Sequence, residues 1–358
     1  MKPKTKALTA AVVGTALGAA GLAFIAMPAS AGDAPVLPAV SADDLVQSVL
    51  TAKQPAFDGT VKVSDNLGLP MLNAIPGASS LKFDEARLFN SGTGSTKLSI
   101  KQGNTEETTI NDGKTVWHYS SKTNTASKTV YPVEPGKVED KASSDPTAVT
   151  AELLGKVRES SIVNVDGTAR VADRPAYELV LTPKPTEKTL LREIRVAVDS
   201  ETRLPLRVSV LSNGSSEPAL QIAFSDIEFT AQPAELFQFT PPKDAKVTDE
   251  QPKLDDKTLA QAEKASKDFK VVGDGWDTAF TGKFSADLLK PQQLKPSKDG
   301  KTADPKALLS KLGKPVSGTW GSGVLISTKV GTALITDDGR FAAGAVPEQV
   351  LYEALAAK

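Results

Sequence analysis

The sequence predicts an α+β fold, with helices set apart from an antiparallel sheet in a domain of about 200 residues. Three observations carry this. Apolar and polar side chains alternate through many short runs, as in "IRVAV" (194–198) and "LRVSV" (206–210), the period of a strand with two different faces. Turn signals separate the runs, among them "NDGK" at 111–114 and "VDSETRLPL" at 198–206. Helical spacing interrupts them twice, which gives the order helix, several strands, helix, several strands.

The first element is not part of the fold. "MKPKTK" leads into an uncharged Gly/Ala-rich run that ends on Ala29-Ser30-Ala31. A basic start, an apolar stretch and a small-x-small end predict a secretory signal peptide over residues 1–31. Cleavage would leave 358 minus 31, or 327 residues, beginning at Gly32 and exported. The alternative is a retained membrane anchor, because about 20 apolar residues can span a bilayer.

In "SADDLVQSVLTAK", Ser41 is placed to cap a helix that carries Leu45 and Val49 on one face. "FDGTVKV" then alternates through Phe57, Val61 and Val63, "SLKF" through Leu81 and Phe83, and "TKLSIK" through Leu98 and Ile100. "KTVWHYSS" sets Val116 and His118 on one face and Trp117 and Tyr119 on the other. Asp145-Pro146 opens a second helix, because proline needs no N–H at the first helical position; Val149, Leu153 and Val157 share its apolar side. Strands return at "AYELVLTP", then through Ile194, Val196 and Val198, through Leu206, Val208 and Val210, and through Leu220, Ile222 and Phe224. Asp226 breaks the last alternation before Ile227 and Phe229 resume it, which predicts a bulge or bend.

From residue 241 the chain turns polar and lysine-rich, and residues 248–306 read as a linker or insertion with a short motif, "GDGWDTAFTG", near 271–282. Residues 307–358 read as a small extension: a short helix from Asp304-Pro305, two alternating runs, "DDGR" as a turn, and a terminal helix from Pro347.

Composition excludes several functions. There is no cysteine, so disulfides, thiol catalysis and thiolate metal sites are out, and a lone His118 cannot build an imidazole zinc site. Formal net charge is -1, and loss of Lys2, Lys4 and Lys6 takes it to -4, unlike the basic footprint of a nucleic-acid binder. Acidic pairs such as Asp43/Asp44 and Asp337/Asp338 sit beside turns, and no nucleophile elbow or phosphate loop accompanies them. No cofactor and no enzymatic activity are expected.

Three stretches together resemble the LolA-like, or outer-membrane lipoprotein-sorting, family. "INDGKTVWHYSSKTNTASKTVYP" (110–132) is similar to its DG turn and W-x-Y hairpin. "VDSETRLPLRVSV" is similar to its D-x-x-T-x-L-P-L turn, and "FQFTPPKDAKV" (237–247) to the F-x-F-x-P-P close of the domain. The resemblance spans about 41–247. It departs where Arg203 and Asp244 replace two customary glycines. The added C-terminal part is similar to that of the two-domain RseB/MucB-like members, which regulate an envelope-stress sigma factor by gripping its anti-sigma partner.

What the resemblance implies is a strongly curved antiparallel half-barrel, with helices on its concave side and acyl chains in the concavity. The residues that would line it are Leu45, Val49, Val61, Val63, Leu98, Ile100 and Trp117, then Leu153, Ile194, Val196, Val208, Ile222 and Phe224. An ordinary core under the helices is the competing reading of the same residues. The expected function is a monomeric carrier or chaperone for lipid or lipoprotein acyl chains in the envelope. The alternative is a regulatory protein acting through a membrane protein partner.

Overall fold

The computed structural model describes residues 34–68, 85–130, 154–249, 269–283 and 305–356. The expected signal peptide, "SLKF", the Asp145-Pro146 helix start, Leu153 and most of the two polar tracts lie outside those residues.

Helix α1 (Ala42–Thr51) forms where Ser41 predicts it. The Ser41 hydroxyl accepts the Asp44 N–H at 3.1 Å, and Asp43 and Asp44 place negative charge beside the remaining unpaired N–H groups of the first turn. Leu45 points inward and is fully buried. A short helix over residues 154–160 continues the second predicted helical stretch.

Twelve strands make the first sheet: β1 (Ala56–Asp65), β2 (Glu85–Ser91), β3 (Thr96–Gln102), β4 (Thr105–Asn111), β5 (Thr115–Ser120), β6 (Thr125–Val130), β7 (Ser161–Val171), β8 (Arg174–Pro183), β9 (Leu191–Asp199), β10 (Pro205–Ser212), β11 (Pro218–Glu228) and β12 (Lys246–Asp249). Their spatial order is β12-β6-β5-β4-β3-β2-β1-β11-β10-β9-β8-β7. The fold is α+β, but the strongly curved half-barrel is not what forms. Among the described residues the sheet is open from edge to edge, with β12 and β7 at its two ends and no ladder joining them. It is also mixed, since β12 runs parallel to β6. Within the same residues, α1 lies against the β7 end rather than across a concave side. Alternation determines which side chains share a face; it holds no information about bending or closure, which depend on register and stagger.

The predicted bulge is present. Thr60 pairs with Asp226 while Val61 pairs with Phe224, so Ser225 is extra in β11. Gly59 belongs to the same device, because a Cβ there would stand 2.5 Å from the Phe224 ring.

The "VDSETRLPL" turn is built around Asp199, which is fully buried. Its carboxylate accepts Arg174 Nε at 2.8 Å, Thr202 N at 2.7 Å, Thr202 Oγ1 at 2.9 Å and Glu201 N at 3.1 Å. Burial pushes this carboxyl up, but the bonds from Arg174, Thr202 and Glu201 outweigh it and hold Asp199 below the usual carboxylate value. Arg203 takes φ +64°, the left-handed region where the family's glycine would be at ease. Its guanidinium lies 5.4 Å from the Tyr177 ring, a cation–π contact that partly offsets the strain. At the other departure, Asp244 accepts from Asn124 Nδ2 at 2.9 Å.

A second sheet has the order β13-β14-β18-β17-β16-β15, from β13 (Lys270–Val272), β14 (Ala279–Lys283), β15 (Lys314–Gly318), β16 (Gly321–Ser327), β17 (Thr332–Thr336) and β18 (Arg340–Gly344). Helices α2 (Pro305–Leu312) and α3 (Glu348–Ala356) accompany it. Leu351, Ala354 and Leu355 of α3 pack on Leu325, Leu334 and Ala342. The "GDGWD" turn joins the two sheets. Trp276 N–H donates to Glu187 Oε2 at 2.8 Å and its indole N–H to Ser161 Oγ at 2.7 Å. Ala345 O accepts Leu190 N at 2.9 Å and Thr189 Oγ1 at 2.7 Å. Gly275 has φ +67°, and a Cβ there would meet Ser160 Cβ at 2.5 Å.

Removing the Asp199 charge leaves Arg174 without its main partner in a mostly buried place. Asp199→Asn is therefore expected to cost about 3 kcal/mol in urea unfolding at neutral pH. Because the native carboxyl is shifted down, the difference from wild type is full above the unfolded value of about 4. It shrinks as pH falls through the lowered native value, where wild type loses the same charge.

Candidate functional site

Register gathers most of the predicted lining residues on one face of the first sheet. Val61 lies opposite Phe224 and Val63 opposite Ile222; Ile222 lies opposite Val208, Val208 opposite Val196, and Val210 opposite Ile194. Across β1, Val61 faces Ala86, which faces Ile100, and Leu88 faces Leu98. Directly paired residues project to the same side, so a single surface runs from β9 to β3.

Helix α1 sits on the β7 end of that face. Leu45, Val196 and Val198 form one cluster, with Val49, Ile194 and Val208 partly buried around it. Val61 and Phe224 form a second cluster, with Leu98, Ile100 and Ile222 at its margin. Val63 is half-buried and belongs to neither cluster. The predicted residues thus divide: Leu45, Val61, Val196 and Phe224 are core. Val63, Leu98, Ile100, Ile194, Val208 and Ile222 leave apolar surface uncovered.

Trp117 does not join them. It pairs with Ile110 and Lys128, and Ile110 with Lys97, which puts it on the opposite face from Leu98. There Phe239 covers it at 5.4 Å, with Tyr119 5.7 Å from the same Phe239 ring. Leu153 lies outside the described residues.

The helix-bearing face changes character at β4. Ile100 pairs with Glu107 and Leu98 with Thr109, and these pair with Ser120 and His118. Ser120 Oγ donates to Glu107 Oε1 at 2.6 Å, His118 Nδ1 lies 3.2 Å from Thr109 Oγ1, and His118 Nε2 lies 3.4 Å from Glu107 Oε2. This polar patch beside apolar strands could not be found without register: the alternation of β5 was legible, but nothing in the sequence says that His118 shares a side with Leu98. Among the described residues no group of His, Asp and Glu is placed to hold a metal ion.

Among the described residues this sheet face is apolar over β8–β11 and β1–β3 and polar over β4–β6, an arrangement that offers amphipathic contact. Residues 94–257, a little under half of the chain, match the family model described as the MucB/RseB N-terminal domain. Similar solved structures include MucB in the MucA/MucB complex of Pseudomonas aeruginosa, at 15% identity over 88% of this chain and 96% of that one, with a TM-score of 0.45. An uncharacterized conserved protein of Thermus thermophilus matches at 15% identity over 58% and 97%, with a TM-score of 0.33. A LolA superfamily protein of Nitrosomonas europaea matches at 12% over 56% and 99%, with a TM-score of 0.21. At these values the likenesses say nothing of partners or ligands. No curated protein matches the chain.

The division into core and uncovered residues is open to direct measurement. Val196 is 7% exposed beside Leu45, and Val196→Asp is expected to lose about 3 kcal/mol or more, for want of any partner for the buried charge. Half-buried Val208 can turn a carboxylate toward water, so Val208→Asp should cost about 1 kcal/mol. Equal losses in urea titrations of the two variants would contradict the division.

Proposed function

We propose that the chain is an envelope regulator that acts by contact with a membrane protein partner. The observation that carries this reading is the match of residues 94–257 to the MucB/RseB N-terminal domain. A second sheet hydrogen-bonded to the first through Glu187, Ser161 and Ala345 supports it, because a simple one-domain carrier has no such part. Cross-linking in intact envelopes of the producing cell, followed by mass spectrometry, tests the reading. A membrane-spanning protein should be recovered as the main adduct. Adducts with soluble proteins alone, from a chain shown to be in the envelope, would remove it.

A second reading concerns what the regulator senses, and the uncovered apolar strip is its motive. Half-buried Ile194, Val208, Ile222, Leu98 and Ile100 share one face and border the Glu107–His118 patch. An acyl chain laid along them would gain about 0.8 kcal/mol per CH₂ removed from water, with its polar end toward β4–β6. Binding of a fluorescent acyl probe to wild type, weakened about ten-fold in folded Val208→Asp, is the expected result. Folded wild-type protein that takes up no probe and yields no extractable lipid would leave the strip as plain surface.

A further inference from the structure

The seam between the two sheets hangs on a short stretch of the first. Thr189 Oγ1 and Leu190 N both donate to Ala345 O, at 2.7 and 2.9 Å, and Ala345 follows β18 of the second sheet. Further seam bonds run from Trp276 to Glu187 and Ser161 and from Lys329 N to Leu67 O. Among the described residues no apolar cluster spans the join: one draws its members from residues 272–355, the other two from residues 37–229. A joint made of hydrogen bonds depends on where each partner is held. Residues 189 and 190 are held from behind by the β10–β11 turn, where Asn213 N donates to Leu190 O at 2.9 Å and Asn213 Nδ2 to Thr189 O at 3.1 Å.

Asn213 is followed by Gly214, the one Asn-Gly pair in the sequence. Both residues are exposed. Gly214 has φ +76°, and a Cβ there would meet nothing within 4 Å. Among the described residues its N–H donates to no group. With no side chain to obstruct it and no bond to release, this backbone nitrogen is open to the carboxamide beside it. Deprotonated, Gly214 N attacks Asn213 Cγ and closes a cyclic imide; the Cγ–Nδ2 bond breaks, and ammonia leaves with the proton that the backbone amide lost. Water then adds to either imide carbonyl, which gives aspartate or, with the chain routed through the side-chain carboxyl, isoaspartate.

We propose that Asn213 is a modification site, a deamidating asparagine whose conversion loosens the seam. Nδ2 is a donor aimed at a carbonyl; a carboxylate in its place has no proton to give and repels Thr189 O. Isoaspartate also lengthens the backbone by one methylene before Gly214, inside the turn that sets the bond to Leu190. Arg192 is the cation that faces this turn, and both its terminal nitrogens are already engaged, Nη1 with Ser215 O at 2.8 Å and Nη2 with Glu193 Oε1 at 3.2 Å.

The test uses the full chain, aged in mildly alkaline buffer and mapped by peptide mass spectrometry, with amide hydrogen exchange as the second reading. Wild type should accumulate aspartate and isoaspartate at position 213 ahead of its other asparagines. Asn213→Gln, which would have to close a larger ring, should stay unconverted there. The Leu190 amide reports the seam, since its bond runs to Ala345. In Asn213→Asp it should exchange about ten-fold faster than in wild type, the effect of one lost hydrogen bond on local opening, while amides in the middle of β10 and β16 keep their wild-type rates. Aged wild type should show a fast-exchanging population equal to its converted fraction. Survival of Asn213 while exposed Asn104 converts overturns the proposal. So does Leu190 exchange that is no faster in Asn213→Asp and in converted wild type, the result expected if Arg192 takes up the new charge. Asn213-Gly214-Ser215 also has the form of a glycan acceptor; a glycan on Asn213 in protein from the producing cell overturns the proposal too, because a substituted amide cannot leave as ammonia.

Discussion

A sheet twelve strands wide has two faces to cover, and the described residues hold little helix with which to do it. The rest of the structure follows from that shortage. On one side, α1 closes only the β7 end through Leu45, and cover thins toward β3. On the other side the chain covers itself. After β11 it crosses back with Phe237 buried and Phe239 over Trp117, then adds β12 beside β6. Over β8–β10 the reverse face is satisfied by ion pairs: Arg207 with Glu178, and Arg195 with Glu193 at 2.8 Å. Such pairs add little net stability, since desolvation consumes most of the attraction, but they let a sheet face go without an apolar partner. The uncovered strip next to Leu98 and Ile222 is what remains when these means run out.

The Asp199 turn and the Trp276 turn solve a related problem at the sheet's margins. The first collects backbone and side-chain donors around the Asp199 carboxylate, and the second gives the Trp276 backbone N–H to Glu187 and its indole N–H to Ser161. The first ties the β9–β10 turn to Arg174 at the start of β8; Arg174 also lies 4.9 Å from the Phe229 ring. The second ties one sheet to the other. Both depend on a backbone position in left-handed space, Arg203 and Gly275. In one the strain is met by an aromatic contact, and in the other by the absence of a side chain.

Much of this was legible in the sequence, and the gaps have physical causes. Strands with clean alternation, such as those of Val196 and Val208, were readable, as were α1 and the bulge near Asp226. β2 was not, because "EARLFNS" has the composition of a helix and becomes a strand only between β1 and β3. β4 was missed because "TEETTIN" is polar on the side that pairs with Leu98 and Ile100. β7 hid behind Gly167 and the register shift beside it. The stretch near 271–282 reads as a short motif within a linker or insertion, yet Trp276 and its flanking strands belong to the second sheet and its seam. For the candidate site, alternation could group residues within a strand; only register could separate Trp117 from Leu98 or bring His118 to the edge of the apolar strip. Curvature was never in the pattern.

The chain has three tryptophans, and the fold distributes them one to each of its mechanical parts. Trp117 lies under Phe239 in the first sheet, and Trp320 stacks on Tyr352 at 5.4 Å within the second. Trp276 alone stands on the seam, its indole N–H held by Ser161. The molecule therefore carries its own optical gauge for each unit and for the joint between them. With the other two tryptophans replaced by phenylalanine, emission from a single indole would tell whether the sheets part before either one melts.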